Sequence, residues 1–129
     1  MSHTILLIED NEQNRYLATF LLEQAGHKVV SAADGLRGIE LAQTLRPDII
    51  LLDIQLPAMD GYAVARALRS LDSLRHVPII AVTSYAMVGD REKSLAAGCN
   101  SYIEKPINPD TFVDQIARFG PSRAGQGTP

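Results

Sequence analysis

Five short apolar runs, set at steps of about 25 residues and separated by helix-like stretches, are the feature that most restricts how this chain can fold. The runs are Ile5-Leu6-Leu7-Ile8, Val29-Val30, Ile49-Ile50-Leu51-Leu52, Ile79-Ile80-Ala81-Val82 and Tyr102-Ile103. The first, third and fourth are unbroken and aliphatic, as strands covered on both faces must be. The second and fifth are short and interrupted by polar residues, which suits the edges of a sheet. Between them, apolar residues recur at three- and four-residue steps, the spacing of a helix with one buried stripe. The first such stretch carries Leu17, Phe20, Leu21 and Ala25, with Gly26 as its C-cap. Another carries Val64, Ala65 and Leu68. The last is predicted to start at Pro109, a residue suited to a first helical turn, and carries Phe112, Val113, Ile116 and Phe119.

Strand–helix alternation implies βαβ units, right-handed crossovers and a parallel sheet. With three interior and two edge strands, the order 2-1-3-4-5 follows, the flavodoxin-like (βα)5 doubly wound arrangement. The 129 residues suffice for one domain, expected over 1–120, and the Gly/Pro-rich stretch 121–129 reads as a flexible tail. A net charge of -3 argues against direct nucleic-acid binding, which calls for a basic face. No apolar stretch is long enough to span a bilayer, and the start MSHTILLIED lacks a basic segment before an apolar one. Together with a lone cysteine, Cys99, this points to a cytoplasmic protein. Cys99 itself reads as a small packing residue, since no His or basic cluster adjoins it in the sequence to activate a thiol.

Ligands of an open parallel sheet sit beyond the carboxyl ends of its strands. In this chain the first run is followed at once by Glu9 and Asp10, and the third by Asp53. The fourth leads into Thr83, and the fifth into Glu104, Lys105 and Pro106. Folding would gather Glu9, Asp10, Asp53, Thr83 and Lys105 on one rim. Three neighbouring carboxylates raise one another's pKa, and a hard divalent cation relieves them; an all-oxygen set fits Mg²⁺ better than zinc. Carboxylates of Asp10 and Asp53 and a backbone carbonyl after Asp53 would serve as ligands. Lys105 would meet a phosphoryl oxygen with positive charge, the Thr83 hydroxyl would donate a hydrogen bond, and Asp53 would be the nucleophile. Each residue alone has a plainer reading: Asp10-Asn11 as a helix start, Asp53 as a turn cap, Thr83 as a strand end, Lys105 as a solvated charge. Their joint placement on four strand ends favours the chemical one.

Glu9-Asp10-Asn11, Asp53, Thr83 thirty residues later and Lys105-Pro106 twenty-two beyond that resemble the response-regulator receiver family of two-component systems. The segment Asp53-Ile-Gln-Leu-Pro57-Ala-Met-Asp60-Gly61 is similar to that family's D-x-x-L/M-P-x-x-D-G. Finer texture, including Glu9-Asp-Asn-Glu12 and Tyr85-Ala-Met-Val-Gly-Asp90, resembles single-domain regulators of the DivK type, and also receivers of hybrid histidine kinases. The resemblance spans Thr4 to about Phe119.

It implies a signalling switch rather than an enzyme, with Asp53 phosphorylated from a phosphohistidine on a histidine kinase or histidine phosphotransfer protein. It implies Mg²⁺ held by Asp10, Asp53 and the backbone carbonyl of Gln55, with Glu9 acting mainly through water. Lys105 would bridge to the phosphoryl group, the Lys105-Pro106 bond would be cis, and Thr83 would draw in the loop after the fourth strand with Tyr102 swinging behind it. A downstream protein would read the face from Met87 to Phe119, built of the fourth helix, fifth strand and fifth helix. The phosphodonor would dock around Gln13, Asn14 and Leu17.

Three other classes fit less well. A haloacid-dehalogenase-like phosphatase calls for a second Asp where Gln55 stands. A flavodoxin-like cofactor binder calls for a phosphate-cradling loop where Glu9-Asp10 would repel phosphate. A DNA-binding regulator calls for a second domain. A receiver piece of a larger hybrid kinase or effector remains open beside a protein acting without an output domain of its own.

Overall fold

The computed structural model describes residues 3–56, 59–84 and 90–119, with backbone only at Asp90 and Arg91. The expected tail 121–129 and the Met87 end of the expected output face lie outside those residues. Five parallel strands, β1 (Thr4–Ile8), β2 (Lys28–Ala32), β3 (Ile49–Asp53), β4 (Ile79–Thr83) and β5 (Ser101–Glu104), form one sheet in the order β2-β1-β3-β4-β5. The helices are α1 (Glu12–Gln24), α2 (Gly35–Leu45), α3 (Gly61–Arg69), α4 (Asp90–Ala96) and α5 (Phe112–Ala117). This is the doubly wound sheet expected from the five runs.

Every residue of β3 and β4 is buried, because both faces are covered. Side chains alternate between two cores. Leu6, Ile8, Ile50, Leu52 and Ile79 pack with Val64, Ala65 and Leu68 of α3 and Ala42 of α2. Ile5, Leu7, Ile49, Leu51 and Ile80 pack with Ala18 and Leu22 of α1 and Phe112 and Ile116 of α5. Each fully buried aliphatic contributes about 1.5–3 kcal/mol of transfer free energy.

Two expectations need correction. The fully buried residues of α1 are Ala18 and Leu22; of the predicted stripe, Leu21 is partly buried against the same core, while Phe20 is 49% exposed. The fifth helix begins at Phe112, not Pro109; Pro109 stands in a turn where the Asn108 carbonyl accepts the N–H groups of Thr111 and Phe112. Gly26 does end α1: at φ 98° it donates to Glu23 while His27 donates to Leu22, the paired bonds of a Schellman cap.

Two local features fasten the helices. Asn11, Asp34 and Asp60 each accept a backbone N–H from the first turn of α1, α2 and α3. Arg69 at the end of α3 spends its guanidinium donors on the carbonyls of Leu74, Arg75 and Gly98 and on Asn100 Oδ1, at 2.7–3.1 Å. Arg46, which ends α2, is the only non-glycine with positive φ among the described residues, at 53°. A left-handed L-residue costs about 1–2 kcal/mol, part of which glycine returns as unfolded-state entropy. Arg46→Gly is therefore expected to stabilise the fold by about 0.5–1 kcal/mol, read as a raised denaturant midpoint at unchanged slope.

Candidate functional site

The register of the sheet carries four strand ends to one edge. β3 ends on Asp53 and β4 on Thr83, while Glu9 and Lys105 follow β1 and β5 directly. Parallel pairing sets Asp53 beside Val82 and Thr83 beside Glu104. Asp53 is 2% exposed, Glu9 4% and Thr83 5%, so three polar groups are buried at the rim of an aliphatic core.

Burial of charge on this scale demands partners. Lys105 Nζ lies 3.1 Å from Glu9 Oε1 and 3.2 Å from Asp53 Oδ2, one ammonium between two buried carboxylates. The Asn11 N–H donates to Glu9 Oε2 at 3.1 Å, and the Gln55 N–H donates to Asp53 Oδ1 at 2.8 Å. Asp10 is exposed, yet it contributes a carboxylate oxygen to a group with Glu9 and Asp53 whose members lie within 4.8 Å of one another. Among the described residues, no buried side-chain nitrogen or oxygen lacks a hydrogen-bond partner.

One ammonium does not balance three carboxylates. Burial, followed by the hydrogen bond with Asp53, pushes the Glu9 carboxyl up to about 7, against the weaker pull of the Asn11 N–H. Burial alone would lower the Lys105 pKa, but Asp53 and Glu9 together raise it above its usual value. Lys105 thus stays charged, and the Glu9 carboxyl titrates well above the usual carboxylate range. The residual negative charge and the all-oxygen donor set fit a hard divalent cation.

All the residues proposed from sequence for chemistry meet here: Glu9, Asp10, Asp53, Gln55, Thr83 and Lys105. The Lys105–Pro106 peptide bond is cis. Tyr102 lies apart, partly buried against the α3-side core and lining a cavity of about 370 Å³ with Leu95 of α4 and Gln115 of α5. Cys99 is buried, and burial raises its thiol to about 11, the behaviour of a packing residue.

Three further groups hold the site in place. Arg15, one turn into α1, donates through one nitrogen to the carbonyls of Glu9 at 2.9 Å and Asp10 at 3.3 Å, fixing the acidic loop from behind. Gly61 at the start of α3 leaves no room for a Cβ, which would stand 2.4 Å from the Ile54 Cα and carbonyl oxygen. The Gln55 carboxamide oxygen accepts the Ser84 N–H at 2.8 Å, linking the loop after β3 to the loop after β4. Gly61 closes the D-x-x-L/M-P-x-x-D-G segment, but spacing in the sequence signals neither the Arg15 nor the Gln55 side-chain contact, because each depends on how close two segments pass.

Comparison with known proteins gives one consistent result. The family model of the response regulator receiver domain matches residues 5–117. The polar-differentiation response regulator DivK of Brucella anthropi is 42% identical over 119 residues, covering 92% of this chain and 97% of its own. The DivK proteins of Brucella ovis and Brucella melitensis are 40% identical over the same span. Among solved structures, the receiver domain of a Pseudomonas aeruginosa sensor histidine kinase is 39% identical with a TM-score of 0.84. It covers 92% of this chain and 98% of its own, and holds a magnesium ion in its active-site cleft. The chemotaxis protein CheY4 of Vibrio cholerae superimposes with a TM-score of 0.88 at 28% identity, covering 92% of this chain and 99% of its own.

Proposed function

The chain belongs to the response regulator receiver domain family, and we propose that it is a phosphorylation-operated switch in which Asp53 accepts a phosphoryl group from a phosphohistidine. The observation that carries this reading is the Asp53 carboxylate itself. It lies buried at a strand end, 3.2 Å from the Lys105 ammonium and within the acidic group of Glu9 and Asp10.

An Asp53 oxygen attacks phosphorus; the P–N bond of the donor breaks, and its electron pair leaves with the imidazole, which takes up a proton. Phosphoryl transfer asks mainly for positioning and charge neutralisation. Lys105 is already aimed at the reacting carboxylate and can follow a phosphoryl oxygen. The Gln55 N–H holds one carboxylate oxygen and so orients the other. Thr83, at the end of the neighbouring strand, is the hydroxyl donor for the product. A Mg²⁺ held by Asp10, Asp53 and the Gln55 carbonyl, with Glu9 acting through water, would neutralise the carboxylates and the incoming phosphoryl oxygens. The magnesium in the Pseudomonas aeruginosa receiver supports that assignment.

Docking of a histidine kinase or phosphotransfer protein is assigned to α1 around Gln13, Asn14 and Leu17. Tyr16, 73% exposed, stacks on Phe20 of the same helix and adds an aromatic surface there. The cavity beside Tyr102 supports a downstream protein partner on the α4–β5–α5 face, with phosphorylation shifting an existing equilibrium. No described helix is long and apolar enough to cross a membrane. The chain matches the DivK protein of Brucella anthropi over 97% of that protein's length.

The test is labelling from acetyl phosphate with and without a chelator. Mg²⁺-dependent, stoichiometric label on Asp53 is expected, and removal of the metal should cut the rate at least about 100-fold, the scale of lost charge stabilisation. Undiminished labelling in chelator would refute the metal's role.

A further inference from the structure

Asp53 belongs to a closed ring of hydrogen bonds that ends on a single peptide unit. On one side, Asp53 Oδ1 accepts the Gln55 N–H at 2.8 Å, and the Gln55 carboxamide oxygen accepts the Ser84 N–H at 2.8 Å. On the other side, Asp53 Oδ2 accepts from Lys105 Nζ at 3.2 Å, and the Lys105 N–H donates to the Thr83 carbonyl at 2.7 Å. The two residues that hold the two oxygens of the carboxylate therefore also hold the carbonyl and the N–H of the Thr83–Ser84 peptide. A peptide unit is planar, with its C=O and N–H opposed. Held at both ends, it cannot turn without breaking one limb of the ring.

We propose that the Gln55 carboxamide is a positioning group that sets the resting orientation of the Thr83–Ser84 peptide and couples it to the state of the Asp53 carboxylate. The inference rests on the reading of Asp53 as phosphoacceptor. The Lys105 limb meets the peptide through backbone alone, as a continuation of the β4–β5 ladder. The Gln55 limb is a single side-chain hydrogen bond from a half-buried residue to the exposed Ser84, so it is the limb that opens first. New charge and volume on Asp53 redirect both the Gln55 N–H and Lys105 Nζ. The ring transmits that change to the residue whose hydroxyl is needed at the phosphoryl group. Coupling of this kind is reciprocal: a peptide released from Gln55 rests nearer the orientation that phosphorylation favours.

Gln55→Met keeps the length of the side chain and removes the acceptor, while Gln55→Glu keeps an oxygen at the same reach. In the metal-free, unphosphorylated protein, Ser84 amide exchange should be about fivefold faster in Gln55→Met than in wild type, the worth of one ordinary hydrogen bond. In Gln55→Glu it should remain protected. The Thr83 and Ser84 amide resonances of Gln55→Met should also lie part-way along the displacement that acetyl phosphate and Mg²⁺ produce in wild type. Equal Ser84 exchange in all three proteins would overturn the proposal. So would resonances in Gln55→Met that start from the wild-type position and move only on phosphorylation. Absence of label on wild-type Asp53 would instead overturn the phosphoacceptor reading, which the metal-free exchange measurement does not involve.

Discussion

Asp53→Asn is expected to fold at least as stably as wild type and to lose phosphoryl acceptance by on the order of 10³-fold or more, since an amide oxygen is a poor nucleophile. The stability half of this expectation follows from the charge count. Asp53 is 2% exposed and shares one ammonium with Glu9, so its removal relieves crowding rather than stranding a cation; Lys105 keeps Glu9 at 3.1 Å. Loss of the Asp53 charge also removes one of the causes that raise Glu9 from 4.5 to about 7. An acid whose pKa is raised on folding stabilises the fold below its unfolded value and loses that contribution as pH climbs through its folded value. Wild-type stability should accordingly decline relative to Asp53→Asn between pH 4.5 and 7, which denaturation at several pH values measures. Thr83→Ala should differ in kind, accepting phosphate while failing to tighten binding of a partner. Stoichiometric label on Asp53→Asn would place the nucleophile elsewhere.

The site was more legible in the sequence than the packing around it, and the reason is geometric. In a parallel sheet every carboxyl end lies on one edge, so the residue after each apolar run has an assigned place once the runs are recognised. Glu9, Asp10, Asp53, Thr83 and Lys105 needed nothing further. The buried face of α1 was less determined, because Leu17, Ala18, Phe20, Leu21 and Leu22 supply overlapping apolar stripes. The stripe that wins buries Ala18 and Leu22 with Leu21 partly buried beside them, and leaves Phe20 to stack on Tyr16 outside. The start of α5 was misplaced for a similar reason: Pro109 suits a first turn, yet the Asn108 side chain and carbonyl hold the next residues in a turn of their own. Arg15 and the Gln55 side chain act by reaching backbone groups of other loops. Periodicity carries no record of such contacts.

The tightest of these approaches also sets the second large effect. Asp60 caps α3 by accepting the Tyr62 N–H at 3.0 Å, and Gly61 is the first residue of the helix. A Cβ on Gly61 would meet the Ile54 backbone at 2.4 Å from Cα and O and 2.6 Å from the carbonyl carbon. Ile54 follows Asp53 directly, and its N–H is held by the Val82 carbonyl at 3.0 Å, so this backbone is not free to retreat. Contact with backbone has no rotamer escape, unlike contact with the end of a side chain. Gly61→Ala should therefore cost about 3 kcal/mol, or push α3 away from the Asp53 loop and weaken Mg²⁺ binding by about tenfold or more. Gly38→Ala in the middle of α2 provides the comparison. Its nearest neighbours would be side-chain atoms of the buried Ile8, at 2.4 Å from Cδ1 and 2.7 Å from Cγ1, so a side chain and not a backbone must shift. Helix propensity returns about 1 kcal/mol there, leaving a net cost of about 1 kcal/mol. Urea denaturation and Mg²⁺ titration of the two variants decide the matter. Equal losses, or a Gly61→Ala protein with wild-type stability and metal affinity, would show that the α3 terminus does not brace the loop bearing Asp53.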